Sequence, residues 1–172
     1  GSLGPGTKLP TLGHTTYEYL RDAYEVAAKG LIEGGCDGLL IETAQDLLQA
    51  KAAVNGSRSA IKNAGKDIYL MAQVTVEATG TMLLGSEIGA ALTALEPLGI
   101  DSIGLNCATG PTEMSEHLRQ LSQQTEIAIT CMPNAGLPVL GANGAHYPLS
   151  PIDLAKALKV FIDDYGLNFI GG

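Results

Sequence analysis

Tryptophan is missing from this 172-residue chain, phenylalanine occurs twice, cysteine three times, and only ten residues are Lys or Arg against eighteen Asp or Glu. Each scarcity excludes something. Without Trp and with few other aromatics, a platform for stacking sugars has little to be built from. A formal charge of -8 and no basic run of five or more argue against a nucleic-acid partner, because neutralising phosphates takes clustered cations. No apolar stretch approaches the roughly eighteen residues of a membrane span, and no charged-then-apolar signal pattern opens the chain. No membrane partner is therefore expected, and the cytoplasm is the default compartment. Cys36, Cys107 and Cys131 are odd in number and lack the spacing of a disulfide framework, so they are expected to be reduced thiols.

What is present is an apolar fraction of 45%, enough for one folded domain over residues 1–172 with no internal boundary. Apolar runs alternate with helical patterns along the whole length. Strands are expected at Gly38 to Glu42, Ile68 to Val76, Asp101 to Asn106, Ile127 to Met132 and Leu167 to Ile170. Most are rich in Leu, Ile and Val with little polar alternation, the mark of parallel strands covered on both faces.

The intervening segments carry helix punctuation. "TAQD" suggests Thr43 as an N-cap with Asp46 three residues on, and a stop near Gly65. Ser150 and Pro151 open a last helix whose Leu154, Leu158, Phe161 and Tyr165 form one stripe ending at Gly166. Tyr17, Leu20, Tyr24 and Leu31 share a face of an earlier helix that breaks at Gly34 and Gly35, and another helix runs through Met114, Leu118 and Leu121.

This order predicts an α/β fold, either an open doubly wound sheet or a TIM-type (β/α)8 barrel. No G-x-G-x-x-G follows a strand, which weakens a dinucleotide-binding sheet. Polar residues instead gather where strands end: Glu42 with Thr43, Glu77, Asn106 with Cys107, and Asn134. Barrel enzymes keep their active sites on that face. Five strands do not close a barrel, and "GSLGP" looks like the loop after a strand that is not present. The expectation is a partial barrel lacking its N-terminal strands, with the long Pro/Gly-rich stretch from Met132 to Pro148 as a β/α loop.

Several of these residues admit two readings. Cys107 is either a small buried filler or a thiolate ligand. Glu42, closing "GLLIE", either bonds nearby backbone or meets a cationic group such as an amino acid's ammonium. Glu77 suits a solvated loop, though paired with Glu42 it would also permit acid-base chemistry on a glycoside. Among the histidines, His117 is expected on a helix surface and His14 and His146 in loops, none with metal-ligand spacing. Cys36 precedes its strand and belongs at the opposite end from Cys107, whereas Cys131 ends a strand and has the chance of lying beside Cys107.

"GSLGP", "GLLIET", "GLNCATGP" and "MPNAGLP", in that order, resemble the homocysteine S-methyltransferase family, in particular the homocysteine-binding domain of its cobalamin-dependent branch, the methionine synthases. The resemblance implies a (β/α)8 barrel in which Cys107 is the first of three cysteine ligands to zinc and homocysteine's sulfur is the fourth. It implies that Glu42 holds the substrate's amino group and that Asn106 and Asn134 line the pocket. In the family the other two ligands are an adjacent Cys-Cys pair after a Gly-Gly, and the present sequence stops at Gly171 and Gly172. The chain alone is accordingly expected to bind zinc weakly or not at all and to be inactive. No cobalamin-binding Asp-x-His-x-x-Gly occurs. Cobalamin and the methyl donor are expected on other domains of the parent protein, and exposed barrel edges raise the expectation of self-association. The alternative is a non-catalytic binding module that retains the fold.

Overall fold

The computed structural model describes residues 1–141 and 144–172. Six strands form one parallel sheet: β1 (Ser2–Leu3), β2 (Gly38–Ala44), β3 (Tyr69–Val74), β4 (Ser102–Asn106), β5 (Ala128–Met132) and, past a two-stranded antiparallel hairpin of β6 (Val139–Gly141) and β7 (Gly144–His146), β8 (Phe169–Ile170). Their spatial order is their chain order, β1-β2-β3-β4-β5-β8. Helices α1 (Tyr17–Glu33), α2 (Leu47–Ala64), α3 (Ile88–Leu95), α4 (Pro111–Gln124) and α5 (Pro151–Tyr165) connect them. That succession of neighbouring parallel strands is the winding of a barrel, here five β/α units and a sixth strand.

Three sequence expectations about strands and loops are corrected. "GSLGP" is not only a loop, because Ser2 and Leu3 pair with Leu40 and Ile41 of β2; a two-residue strand is too short to show a period. The second strand does not stop at Glu42 but continues to Ala44 through a register irregularity after Ile41. The stretch from Met132 to Pro148 also contains the β6–β7 hairpin rather than loop alone, with residues 142 and 143 outside the described part.

The alternation of each strand sorts its side chains into two layers. Leu39, Ile41, Leu70, Ala72, Val74, Ile103, Leu105, Ile129 and Cys131 are buried in a continuous core with the helices, which contribute Tyr24, Ala28 and Ile32 from α1, Met114, Leu118 and Leu121 from α4, and Leu158 and Phe161 from α5. The opposite face is more polar. Gln73, Gly104 and Thr130 lie in one register row, and the Gln73 amide donates to Thr130 Oγ1 across the glycine. A Cβ on Gly104 would sit 1.9 Å from the Thr130 carbonyl oxygen.

The sheet curls around this inner face. Three strand spacings separate β3 from β8, roughly 14 Å in a flat sheet. The rings of Tyr69 and Phe169 nevertheless meet with centroids 5.7 Å apart. Long side chains close part of that gap and curvature the rest.

Helix ends follow local rules. Ser150 caps α5 by accepting the Asp153 N–H, and Gly166 ends it at φ 69. The N-cap of α2 is Asp46 and not Thr43: its carboxylate accepts the Leu48 N–H at 2.8 Å and, being buried, also holds Thr11 through its N–H at 3.0 Å and its hydroxyl at 2.7 Å. Beside it the Gln49 amide donates to the Pro5 and Lys8 carbonyls, so the loop after β1 is stitched to the start of α2.

Helices α1 and α2 cross closely at Gly56, where an added Cβ would lie 2.3 Å from the Arg21 carbonyl oxygen. Gly56→Ala is expected to destabilise the chain by about 1–3 kcal/mol, the usual penalty of overpacking, as a lower urea midpoint. A midpoint equal to wild type would show that the two helices separate freely.

Cys131 gives a pH prediction. Its sulfur is fully buried 3.7 Å from Met114 Sδ, and burial pushes the thiol from its ordinary 9.0 up to about 12. The unfolded chain loses this proton above pH 9 while the folded chain keeps it, so stability drains away as pH rises from 9 toward 12. Between pH 8 and pH 10 the wild type is expected to lose about 1.4 kcal/mol more than Cys131→Ala in paired urea titrations. Equal losses would mean that the thiol ionises in place.

Candidate functional site

The carboxyl ends of β2, β3 and β4 meet at one rim of the curled sheet. Asn106 closes β4 with its side chain on the inner face, almost fully buried. From there its amide reaches past the end of β3 to β2. Its Oδ1 accepts the Thr43 N–H at 2.9 Å, and its Nδ2 donates to Thr43 Oγ1 at 2.7 Å and to Cys107 Sγ at 3.2 Å. Buried Thr75, just beyond β3, donates its hydroxyl to the Asn106 carbonyl at 3.0 Å and its N–H to the Ala44 carbonyl at 3.0 Å. Three strand ends are thus tied by one asparagine and two threonines.

Backbone conformation sharpens the picture. Among the described residues three that are not glycine have positive φ: Thr43 at 57°, Cys107 at 59° and Ala108 at 57°. All three belong to this cluster, with Thr43 Oγ1 4.0 Å from Cys107 Sγ. A left-handed conformation is unfavourable for side chains with a Cβ, most of all for a β-branched one. Such residues are held by their surroundings, and they concentrate at functional positions.

The left-handed pair explains the cysteine in "GLNCATGP". Cys107 extends the ladder by one bond, its N–H to the Met132 carbonyl at 3.1 Å, and the chain then turns so that the Thr109 N–H donates back to the Cys107 carbonyl at 2.7 Å. Gly110 and Pro111 start α4 immediately, with Glu113 accepting the Gly110 N–H at 3.0 Å. The thiol is left half-buried at the mouth of the inner face. Asn134 comes in from the loop after β5, its N–H donating to the Thr109 carbonyl at 3.0 Å. Glu42 sits one residue before Thr43, half-buried, and accepts a hydrogen bond from the Ser2 hydroxyl.

Other candidates fall elsewhere. Cys131 does not join Cys107, since its sulfur points into the outer core against α4. Cys36 lies in the α1–β2 connection at the opposite end. His14 accepts the Leu9 N–H in a turn, His146 is exposed on β7, and Glu77 opens a turn whose Gly80 N–H donates to its carbonyl at 2.9 Å. His117 is half-buried rather than on an open helix surface. Burial holds its pKa below the ordinary 6.5, against the opposing pull of Glu116 and Glu87.

Thr75 is the site residue that sequence reasoning missed, and Thr43, noted with Glu42 at a strand end, was given the role of a helix cap instead.

Among the described residues no three His, Cys, Asp or Glu side chains gather around one point as metal ligands. Cys107 offers a single thiol, and the neighbouring Thr43 and Asn106 side chains bond each other. A zinc ion takes four ligands, so the donors present here do not by themselves fit one. No helix of the described residues is long and apolar enough to cross a membrane.

The chain is similar to several known proteins. The chain is 67% identical over 172 residues to the methionine synthase of Mycobacterium tuberculosis (strain ATCC 25618 / H37Rv) and 66% identical to that of Mycobacterium leprae (strain TN). The matches cover 100% of this chain but only 14% of each relative's length. Among solved structures, the apo form of the homocysteine methyltransferase MmuM from Escherichia coli superposes with a TM-score of 0.70 at 17% identity, covering 100% of this chain and 55% of that one. A putative phosphonomutase from Burkholderia cenocepacia J2315 gives 0.55 at 17% identity over 99% of this chain and 60% of that one, a likeness of fold alone. The family model described as homocysteine S-methyltransferase matches residues 1–172, and the chain belongs to that family.

Proposed function

We propose that this chain is a segment of a methionine synthase, forming part of the barrel in which a methyl group is transferred to the sulfur of homocysteine. The observation that carries the reading is the half-buried Cys107 thiol, held at the inner mouth of the sheet by the Asn106 amide, which also binds Thr43, the residue after Glu42. In this reading Cys107 is one thiolate ligand of a zinc ion, for which the donors gathered here are too few on their own. The chemistry that a zinc ion completed by further donors would supply there is a lowered pKa for a substrate thiol.

The chain's own residues bind and orient. Glu42 presents a carboxylate that already accepts a hydrogen bond from Ser2, the chemistry an ammonium group requires. Asn106 fixes the Cys107 sulfur, and Asn134 stands on the adjoining loop, tied to the same turn through Thr109. Cobalamin and the methyl donor belong to other domains of the parent protein. Exposed Phe169 and Ile170 on the edge strand β8 support association through that edge, with the rest of the barrel or with a second copy.

In the full-length protein, Cys107→Ala is expected to lower homocysteine methylation at least about 100-fold and to release zinc. Glu42→Gln is expected to raise the KM for homocysteine about tenfold with little change in kcat, as loss of uniform binding does. The isolated 172-residue chain is expected to hold well under one zinc per chain after metal-free purification and reconstitution. Full zinc and full activity in Cys107→Ala would sink the reading.

A further inference from the structure

We propose that Thr43 is a positioning residue for the thiol of Cys107. The inference rests on the functional reading above, and its structural part stands on the cluster alone. The Asn106 Nδ2 carries two hydrogens, one directed to Thr43 Oγ1 at 2.7 Å and the other to Cys107 Sγ at 3.2 Å. Its Oδ1 is taken by the Thr43 N–H at 2.9 Å. Thr43 therefore grips the amide at both ends, which leaves the second N–H one direction to point, at the sulfur.

Both halves of this grip depend on the same backbone turn. The Thr43 N–H reaches Asn106 because the backbone turns to φ 57° in the irregular stretch of β2 between Ile41 and Ala44. The hydroxyl reaches it because that turn also directs the side chain inward, to 4.0 Å from the sulfur. Nothing in strand pairing requires a β-branched residue in this conformation, where glycine would be the unstrained choice. A threonine there is explained by its hydroxyl. With the hydroxyl acceptor removed, Oδ1 is held by the residue 43 N–H alone, one amide N–H loses its partner, and the N–H directed at the sulfur is less firmly oriented.

The test uses four versions of the protein. Thr43→Val keeps the shape and deletes the acceptor, Thr43→Ser keeps the acceptor, and Thr43→Gly deletes the acceptor while suiting the positive φ, so it carries the test if the valine chain misfolds. In the ¹⁵N-labelled 172-residue chain, the Asn106 side-chain amide is expected to show two separate, slowly exchanging N–H resonances. Exchange is expected at least tenfold faster in Thr43→Val and Thr43→Gly, and near the wild-type rate in Thr43→Ser.

In the full-length enzyme, kcat/KM for homocysteine is expected to fall about tenfold or more in the valine and glycine variants and to be restored in the serine variant. Unchanged amide exchange in both deletion variants overturns the proposal, and so does equal impairment of the serine and valine variants, which would assign the effect to the backbone. Absence of homocysteine methylation in the wild-type enzyme would refute the functional reading, leaving the amide measurements to decide the role of Thr43.

Discussion

A parallel sheet that curls around its polar face brings residues from non-neighbouring strands within one hydrogen bond of each other, and the site depends on that curvature. In a flat sheet β2 and β4 stand roughly 10 Å apart, with β3 between them. On the concave side their ends converge, and the Asn106 amide spans the gap to reach Thr43. The same convergence lets Gln73 meet Thr130 across Gly104, one row deeper. Glycine at 104 is the local condition, because any side chain there would occupy the space of that contact. Helices packed on the outer face hold the sheet in its curled form, so the hydrophobic core sustains the geometry of the thiol at a distance.

The cluster is conformationally expensive. Three non-glycine residues at positive φ represent on the order of 1–3 kcal/mol each. Hydrogen bonds with net values of about 1 kcal/mol offset part of this, and buried donors without partners would be worse. Thr43 N–H, Thr75 Oγ1 and both ends of the Asn106 amide are all satisfied within the cluster. The remainder is carried by core layers such as Ile103 and Leu105 against Met114 and Leu118, which are buried whether or not the rim is strained. Strain of this kind persists because the surrounding structure leaves the rim no other arrangement.

Much of this was legible in the sequence for reasons that can be named. The apolar run of "GLLI" and the Ile and Leu alternating with small or polar residues in "SIGLN" mark strands, and the Ser150-Pro151 start and Gly166 stop of α5 are properties of single residues. The position of Cys107 followed from the same logic, since a strand's end is visible where apolar residues give way to Asn and a Gly-Pro turn. Thr43 was misread because Thr-x-x-Asp satisfies a local capping pattern, and only a tertiary partner shows which residue caps. Buried Asp46, bonded to Thr11 from a distant loop, takes the cap and leaves Thr43 to the strand. The two-residue β1 carried no period and was invisible for that reason.

The two cysteines at the ends of β4 and β5 show how little separates a structural thiol from a functional one. Cys131 is in register with Leu105, so it shares that residue's outward direction and is packed against Met114. Cys107 lies two positions beyond Leu105 and by strict alternation would face outward as well. It escapes because alternation ends where the strand does: φ 59° at Cys107 and 57° at Ala108 take the chain out of the extended region. Its sulfur comes within 3.2 Å of the inward-facing Asn106 amide instead of the core. A residue inside a strand has its face chosen by register, whereas a residue just past the end has it chosen by the turn, and in this chain the turn turns the thiol toward the polar side.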